Sequence, residues 1–264
     1  MYDYLVAVIL GIVEGLTEFL PVSSTGHLIL AEKVLGVEGT MWQTFEIMIQ
    51  LGAILAVVLL YFQKLWGTLL GLPSDPAARH FALLLLIALL PSVVLGFLFA
   101  STIKALLFNP AVVGIMLIVG GLVILVVEHL HREDAYTDTD QIPLLTGLWI
   151  GLAQAVSMIP GTSRSAATIV GGRLLGLDRH TATELSFFLA IPTMVAAFAH
   201  EAIKYRHDLD FSAAGIIAVG FVTAFVSAYL IVKPFLKFVS SNGFAPFAYY
   251  RVGLGALVLT LLWA

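Results

Sequence analysis

Glu14-Gly15-Leu16-Thr17-Glu18-Phe19-Leu20-Pro21-Val22-Ser23-Ser24-Thr25-Gly26-His27 and Pro160-Gly161-Thr162-Ser163-Arg164-Ser165 are polar islands inside apolar sequence. Ionisable side chains at membrane depth are costly and mark a site more often than packing. The first island offers carboxylates, hydroxyls and an imidazole. The second offers hydroxyls, glycine and a guanidinium. Together they are a set of parts for handling a phosphate group inside a bilayer.

The surrounding sequence sets the class. Of 264 residues, 60% are hydrophobic and only 11% charged, with a mean hydropathy of +1.01. That composition belongs to integral membrane proteins. Its long apolar runs are continuous rather than alternating, so they predict helices and not the strands of a barrel. Cysteine is absent, which removes disulfides, thiolate catalysis and Cys-based zinc sites. The formal charge of -4 comes without a basic block, so nothing points to nucleic acid. The start, Met1-Tyr2-Asp3-Tyr4, lacks the basic segment of a signal peptide.

Six spanning helices are expected, at Trp42–Phe62, Arg79–Ala100, Pro110–Leu130, Ala182–Ala202, Ala213–Val232 and Phe244–Trp263. Loop chemistry separates them at Pro73–Pro76, Asn109–Pro110, His131–Gln141, Arg206–Asp210 and Ser240–Gly243. Tyr4–Leu35 and Ile142–Leu175 do not fit this scheme. Each is interrupted by a polar island and leaves halves too short to span. Each reads as a re-entrant helical hairpin, whose irregular loop must be buried in protein or line a cavity.

The hairpins resemble each other. At a shift of 140 positions Gly11 falls on Gly151, Glu14 on Gln154, Ser23 on Ser163 and Thr25 on Ser165. Each is followed by three expected spans, so a second copy would be inverted relative to the first. The expected architecture is an all-α polytopic membrane protein, one domain over 1–264, with inverted-topology repeats of about 1–130 and 141–264. Lys64, Arg79, Arg132, Arg173, Arg179, Lys233 and Lys237 fall on one side; Lys33, Lys104, Lys204 and Arg206 fall on the other. The positive-inside rule makes the first side cytoplasmic. The first hairpin then enters from outside and the second from the cytoplasm.

Glu14 and Glu18 are four apart and share a helix face. Like charges that close repel, so either one carboxyl keeps its proton or a cation sits between them. Mg²⁺ or Ca²⁺ suits such oxygens when substrate phosphates complete the shell. Ser24 and His27 open the exiting helix on one face, and His27 could take a proton from Ser24, act on water or protonate a leaving oxygen. Ser23, Ser24 and Thr25 are also ordinary capping residues. Arg164 opens a helix after Pro160-Gly161, beside Ser163 and Ser165, where backbone N–H groups, helix dipole and guanidinium all favour phosphate. In the empty state Arg164 could instead pair with Glu14 or Glu18. Gln154 is expected to line the cavity as the counterpart of Glu14. Glu46 and Gln50 share a helix face; they and Glu184 are given structural roles, as are Arg251 and Glu201, which either pair or snorkel to an interface.

These two motifs, Gly11 to His27 and Pro160 to Thr168, resemble those of the undecaprenyl pyrophosphate phosphatase family of bacterial membranes, the bacitracin-resistance proteins. The resemblance covers essentially the whole chain. It implies hydrolysis of undecaprenyl pyrophosphate to undecaprenyl phosphate and inorganic phosphate, which recycles the lipid carrier for peptidoglycan. It further implies a divalent cation, an outward-facing site in the inner membrane, and homodimers. The physical reading of the residues supports this mechanism and places Glu14 and Glu18 on the metal or on proton transfer. Arg164 and Ser163, with Ser23, Thr25, Gly161, Thr162, Ser165 and Gln154 around them, hold the pyrophosphate. Ser24 attacks the terminal phosphorus or positions the water that does, with His27 as acid–base. A transporter or flippase of undecaprenyl phosphate would use the same architecture. The acid-phosphatase-like lipid phosphatases are excluded, because their further Arg and His–Asp pair are missing.

Overall fold

The computed structural model describes residues 1–107, 109–130, 134–204 and 214–263. The described residues form helices and no named strands; an isolated bridge joins Tyr136 to Leu177. The first hairpin is α1 (Tyr2–Thr17) and α2 (Ser24–Leu35). α3 (Thr40–Leu60), α4 (Phe62–Gly71), α5 (Pro76–Leu107) and α6 (Pro110–His129) follow. The second hairpin is α7 (Leu144–Ala155) and α8 (Arg164–Leu174), and α9 (Arg179–Lys204), α10 (Ala214–Asn242) and α11 (Ala245–Trp263) complete the chain.

By length and composition five helices can cross a membrane, α5, α6, α9, α10 and α11. The expected Trp42–Phe62 span counts as a sixth only together with α4, from which it is bent by 75° between Leu60 and Phe62. The helix α10 runs ten residues past its expected end at Val232, through Pro234 to Asn242. Phe235 and Val239 are buried in the core on that extension, and their packing outweighs the backbone hydrogen bond a helical proline forgoes. Ser240–Asn242 are therefore helical, and the stop comes at Gly243, whose φ of +72° suits glycine. The expected loop at Arg206–Asp210 lies outside the described residues.

Both hairpins close on themselves. Tyr2 at the start of α1 donates from its hydroxyl to the Leu35 carbonyl at the end of α2, 2.6 Å away. Near the second hairpin's mouth, Ile142, Leu175 and Leu177 share one cluster with Tyr136. The mouths lie at opposite ends of α10: Gly215 at its start sits against Tyr4, and Gly243 beyond its end sits against Glu128 and Arg179. At about 1.5 Å per residue this helix is about 43 Å long, so the ends are a membrane thickness apart.

Small residues let the hairpins enter. Gly11 lies against the backbone of α10 near Gly220 and Ala224, and Gly151 against the backbone of α5 at Ala88. A side chain at either would meet backbone, which is why helices approach this closely only through glycine. Thus α1 packs on α10 and α7 on α5, while α6 pairs with α11. The core between them gathers Phe19, Ile169, Phe187 and Phe235.

Candidate active site at the hairpin tips

Each hairpin turns through a serine in strained backbone. Ser23 (φ +72°) and Ser163 (φ +75°) are the two non-glycine residues with positive φ among the described residues, and they stand 140 positions apart. Left-handed backbone at such a residue costs about 1–2 kcal/mol and gathers at functional sites. Part of that cost is offset by capping. Ser23 Oγ accepts from the Gly26 N–H and Ser163 Oγ from the Ala166 N–H, 3.2 Å away. Two helix N-termini, of α2 and α8, therefore begin inside the molecule, each with unsatisfied N–H groups and a positive dipole end.

The tips meet there. The Glu18 carboxylate accepts from Ser24 Oγ at 2.5 Å through one oxygen and from Arg164 Nη2 at 3.0 Å through the other. Arg164 Nη1 donates to the Ser186 carbonyl of α9 at 2.7 Å. Its face lies toward the Phe19 ring, 5.9 Å from the centroid. Ser165 Oγ donates to the Leu20 carbonyl at 2.7 Å, stitching tip to tip. A buried ion pair is a poor source of stability, because removing two charges from water costs about as much as the pair returns. Its presence beside a cavity points to chemistry instead.

That cavity has a volume of about 160 Å³. The first tip lines it with Glu18, Ser23, Ser24 and Thr25, and the second with Pro160, Gly161, Ser163 and Arg164. Ser157 of the turn that follows α7, Gln50 of α3 and Met194 of α9 complete the lining.

Other expected site residues stand behind this lining. Glu14 is fully buried one turn before Glu18, and both its carboxylate oxygens lack a hydrogen-bond partner. It is near enough to Glu18, Glu46 and Arg164 to feel their charges. Thr162 is buried with its hydroxyl unpartnered. Two expectations change. Gln154 is fully buried away from the cavity lining: its amide nitrogen donates to Ser92 and Thr193, and its oxygen accepts from Thr168. The close seating of α7 on α5 at Gly151 draws that face inward. His27 contacts Ser23 and Tyr250 rather than Ser24. Its Nδ1 lies 2.7 Å from the Ser23 carbonyl, which can only accept, so Nε2 accepts from the Tyr250 hydroxyl at 2.7 Å. The Ser24 proton faces Glu18.

Sequence reasoning underrated Arg251. This guanidinium is fully buried in α11 and spends its donors on backbone carbonyls: Pro21 of the first tip at 3.1 Å, Gly161 and Thr162 of the second at 2.9 Å each, and Met116 and Leu117 of α6. One residue thereby holds both tips in register. The signal was visible as a charge within an apolar helix. The side chain of its expected partner, Glu201, lies outside the described residues. Ser186 was also missed, since nothing in its local sequence says that it faces Arg164.

Among the described residues no group of three or more His, Cys, Asp or Glu side chains forms a metal cage. Glu14 and Glu18 are nonetheless the type of donor a hard divalent cation takes, one helical turn apart, with Glu14 behind the cavity lining and both Glu18 oxygens bonded to Ser24 and Arg164. The orphaned oxygens of Glu14 suit either a cation or a retained proton.

The family model described as "Bacitracin resistance protein BacA" matches residues 7–257. A protein of Nitrobacter hamburgensis named undecaprenyl-diphosphatase is 53% identical over 261 residues, covering 98% of this chain and 97% of the relative. One of the same name from Bradyrhizobium diazoefficiens is 51% identical over 264 residues, covering 99% and 98%. A third, from Rhodopseudomonas palustris, is 52% identical over 261 residues, covering 98% of this chain and 97% of the relative.

Proposed function

The chain belongs to the BacA bacitracin-resistance family, and from that premise we infer that it is an undecaprenyl-diphosphatase, a multi-pass membrane enzyme that cleaves undecaprenyl pyrophosphate to undecaprenyl phosphate and inorganic phosphate. The observation that carries the reading is the meeting of Glu18, Ser24 and Arg164 at one cavity between two helix N-termini. The relatives' names describe hydrolysis, which ranks this reading above transport of the product.

The parts suit the reaction. The terminal phosphate brings negative charge, and Arg164 can leave Glu18 for it with a planar, two-pronged donor. The N–H groups of α2 and α8 add donors that need no reorganisation as charge shifts in the transition state. Ser24 Oγ, its proton facing Glu18, attacks the terminal phosphorus, or else Ser24 and Glu18 orient and deprotonate the attacking water. In either case an oxygen–phosphorus bond forms as the bridging bond breaks, and its electrons leave with the lipid phosphate. In the serine route a water then hydrolyses the phosphoserine. His27, committed to Ser23 and Tyr250, is assigned to holding the tip. A Mg²⁺ or Ca²⁺ ion, held by Glu14 and Glu18, would neutralise phosphate charge. We further propose that the hairpins belong to inverted repeats, that the site opens to the periplasmic face of the inner membrane, and that the enzyme works as a homodimer.

The test is inorganic phosphate release from undecaprenyl pyrophosphate by the detergent-purified protein, with and without EDTA, beside Glu18→Gln and Arg164→Ala. Release that needs metal and fails in both variants is the expected result. Folded protein that releases none with Mg²⁺ or Ca²⁺ would overturn the reading in favour of transport.

A further inference from the structure

The cavity has a wall that belongs to neither hairpin, and Gln50 is its amide. It stands on α3, one helical turn after Glu46, and its neighbour Ile49 is fully buried. Gln50 is only partly buried because it faces the cavity that Arg164, Ser24 and Glu18 line. Among the described residues its side chain has no hydrogen-bond partner. The second hairpin's amide, Gln154, is by contrast tied to three hydroxyls. The Gln50 amide is thus open to the cavity and free to bond to what the cavity holds.

Resting on the proposed diphosphate substrate, we infer that Gln50 is a substrate-binding residue for the lipid-linked phosphate, while Arg164 and the hairpin tips take the terminal one. The two phosphoryl groups make different demands. The terminal group accumulates charge in the transition state and is served by the guanidinium and the helix ends. The lipid-linked group becomes the phosphate of a product that must leave. A carboxamide gives it two N–H donors without a second fixed positive charge to trap it. Like Gln50, the apolar side chain of Met194 lines the cavity from outside the two hairpins, a surface that an isoprenoid stem can meet.

The test is calorimetric binding of inorganic phosphate and of inorganic pyrophosphate to the purified full-length protein, wild type against Gln50→Met and Gln50→Glu. The methionine variant keeps length and packing and removes the donors. It is expected to weaken pyrophosphate about tenfold, the scale of one hydrogen bond to a charged group, and to leave phosphate within about twofold. The glutamate variant adds repulsion and weakens pyrophosphate further. Equal weakening of both anions, or no change in either, overturns the inference. If the methionine variant does not fold, the glutamate variant carries the comparison by the same criterion. Because binding is read without turnover, a wild type that binds pyrophosphate through Gln50 yet releases no phosphate would sink the hydrolase reading alone.

Discussion

At the residue scale, Glu18 is the junction of the site, since one oxygen takes the Ser24 hydroxyl and the other takes Arg164. Glu18→Gln keeps the shape and removes the base. It is expected to lower kcat by about 10²-fold or more while folding normally, read by phosphate release and thermal unfolding together. Ser24→Ala is expected to lose activity on either route, so the wild type separates the two nucleophiles: phosphoserine trapped at Ser24 establishes attack by the side chain, and full activity in Ser24→Ala would overturn it. Arg251 is a different case, a positioning residue with no carboxylate partner among the described residues. Arg251→Lys retains the charge but cannot reach all the carbonyls of both tips. Its expected signature is a fall in kcat/KM together with a lower melting temperature, because carbonyls left buried and unsatisfied cost about 1–3 kcal/mol each. An unchanged melting temperature would refute the tip-holding role.

At the element scale, the hairpins turn on two strained, self-capping serines. Strain and cap can be separated at Ser163. Alanine there keeps the unfavourable backbone and loses the cap, for about 1 kcal/mol of destabilisation. Glycine also loses the side-chain cap but relieves the positive φ. The expected order of thermal stability is Ser163→Gly above Ser163→Ala, and the reverse order would mean that the backbone there is not strained. Both turns were legible in sequence as Pro-, Gly- and Ser-rich breaks in apolar runs. The length of α10 was not. Lys233-Pro234 looks like a helix end locally, and only the burial of Phe235 and Val239 carries the helix on.

At the scale of the whole molecule, the hairpins share one interior site while their mouths lie at opposite ends of α10. The absence of cysteine makes this directly measurable. Val34 and Asp134 are exposed, the first on α2 near one mouth and the second beside the other. Val34→Cys and Asp134→Cys are expected to react with an impermeant maleimide from opposite sides of oriented vesicles. Labelling of both from one side would overturn the arrangement.

What the sequence determined by itself is what local physics can read. Apolar run length gives helices, proline and glycine give the breaks, and charge inside apolar sequence marks Glu14, Glu18 and Arg164. What only the tertiary structure decided is who meets whom. Ser24 and His27 are neighbours in sequence, yet Ser24 bonds to Glu18 and His27 to Tyr250, 223 residues away. Gln154 stands 140 positions after Glu14, yet it is withdrawn into its own hydroxyl shell while the Glu14 carboxyl has no hydrogen-bond partner. Arg251 reaches carbonyls up to 230 positions distant. A hydrogen bond is satisfied by whatever packing brings within about 3 Å. In a chain that folds back through a membrane, that partner is set by helix seating and not by spacing along the sequence.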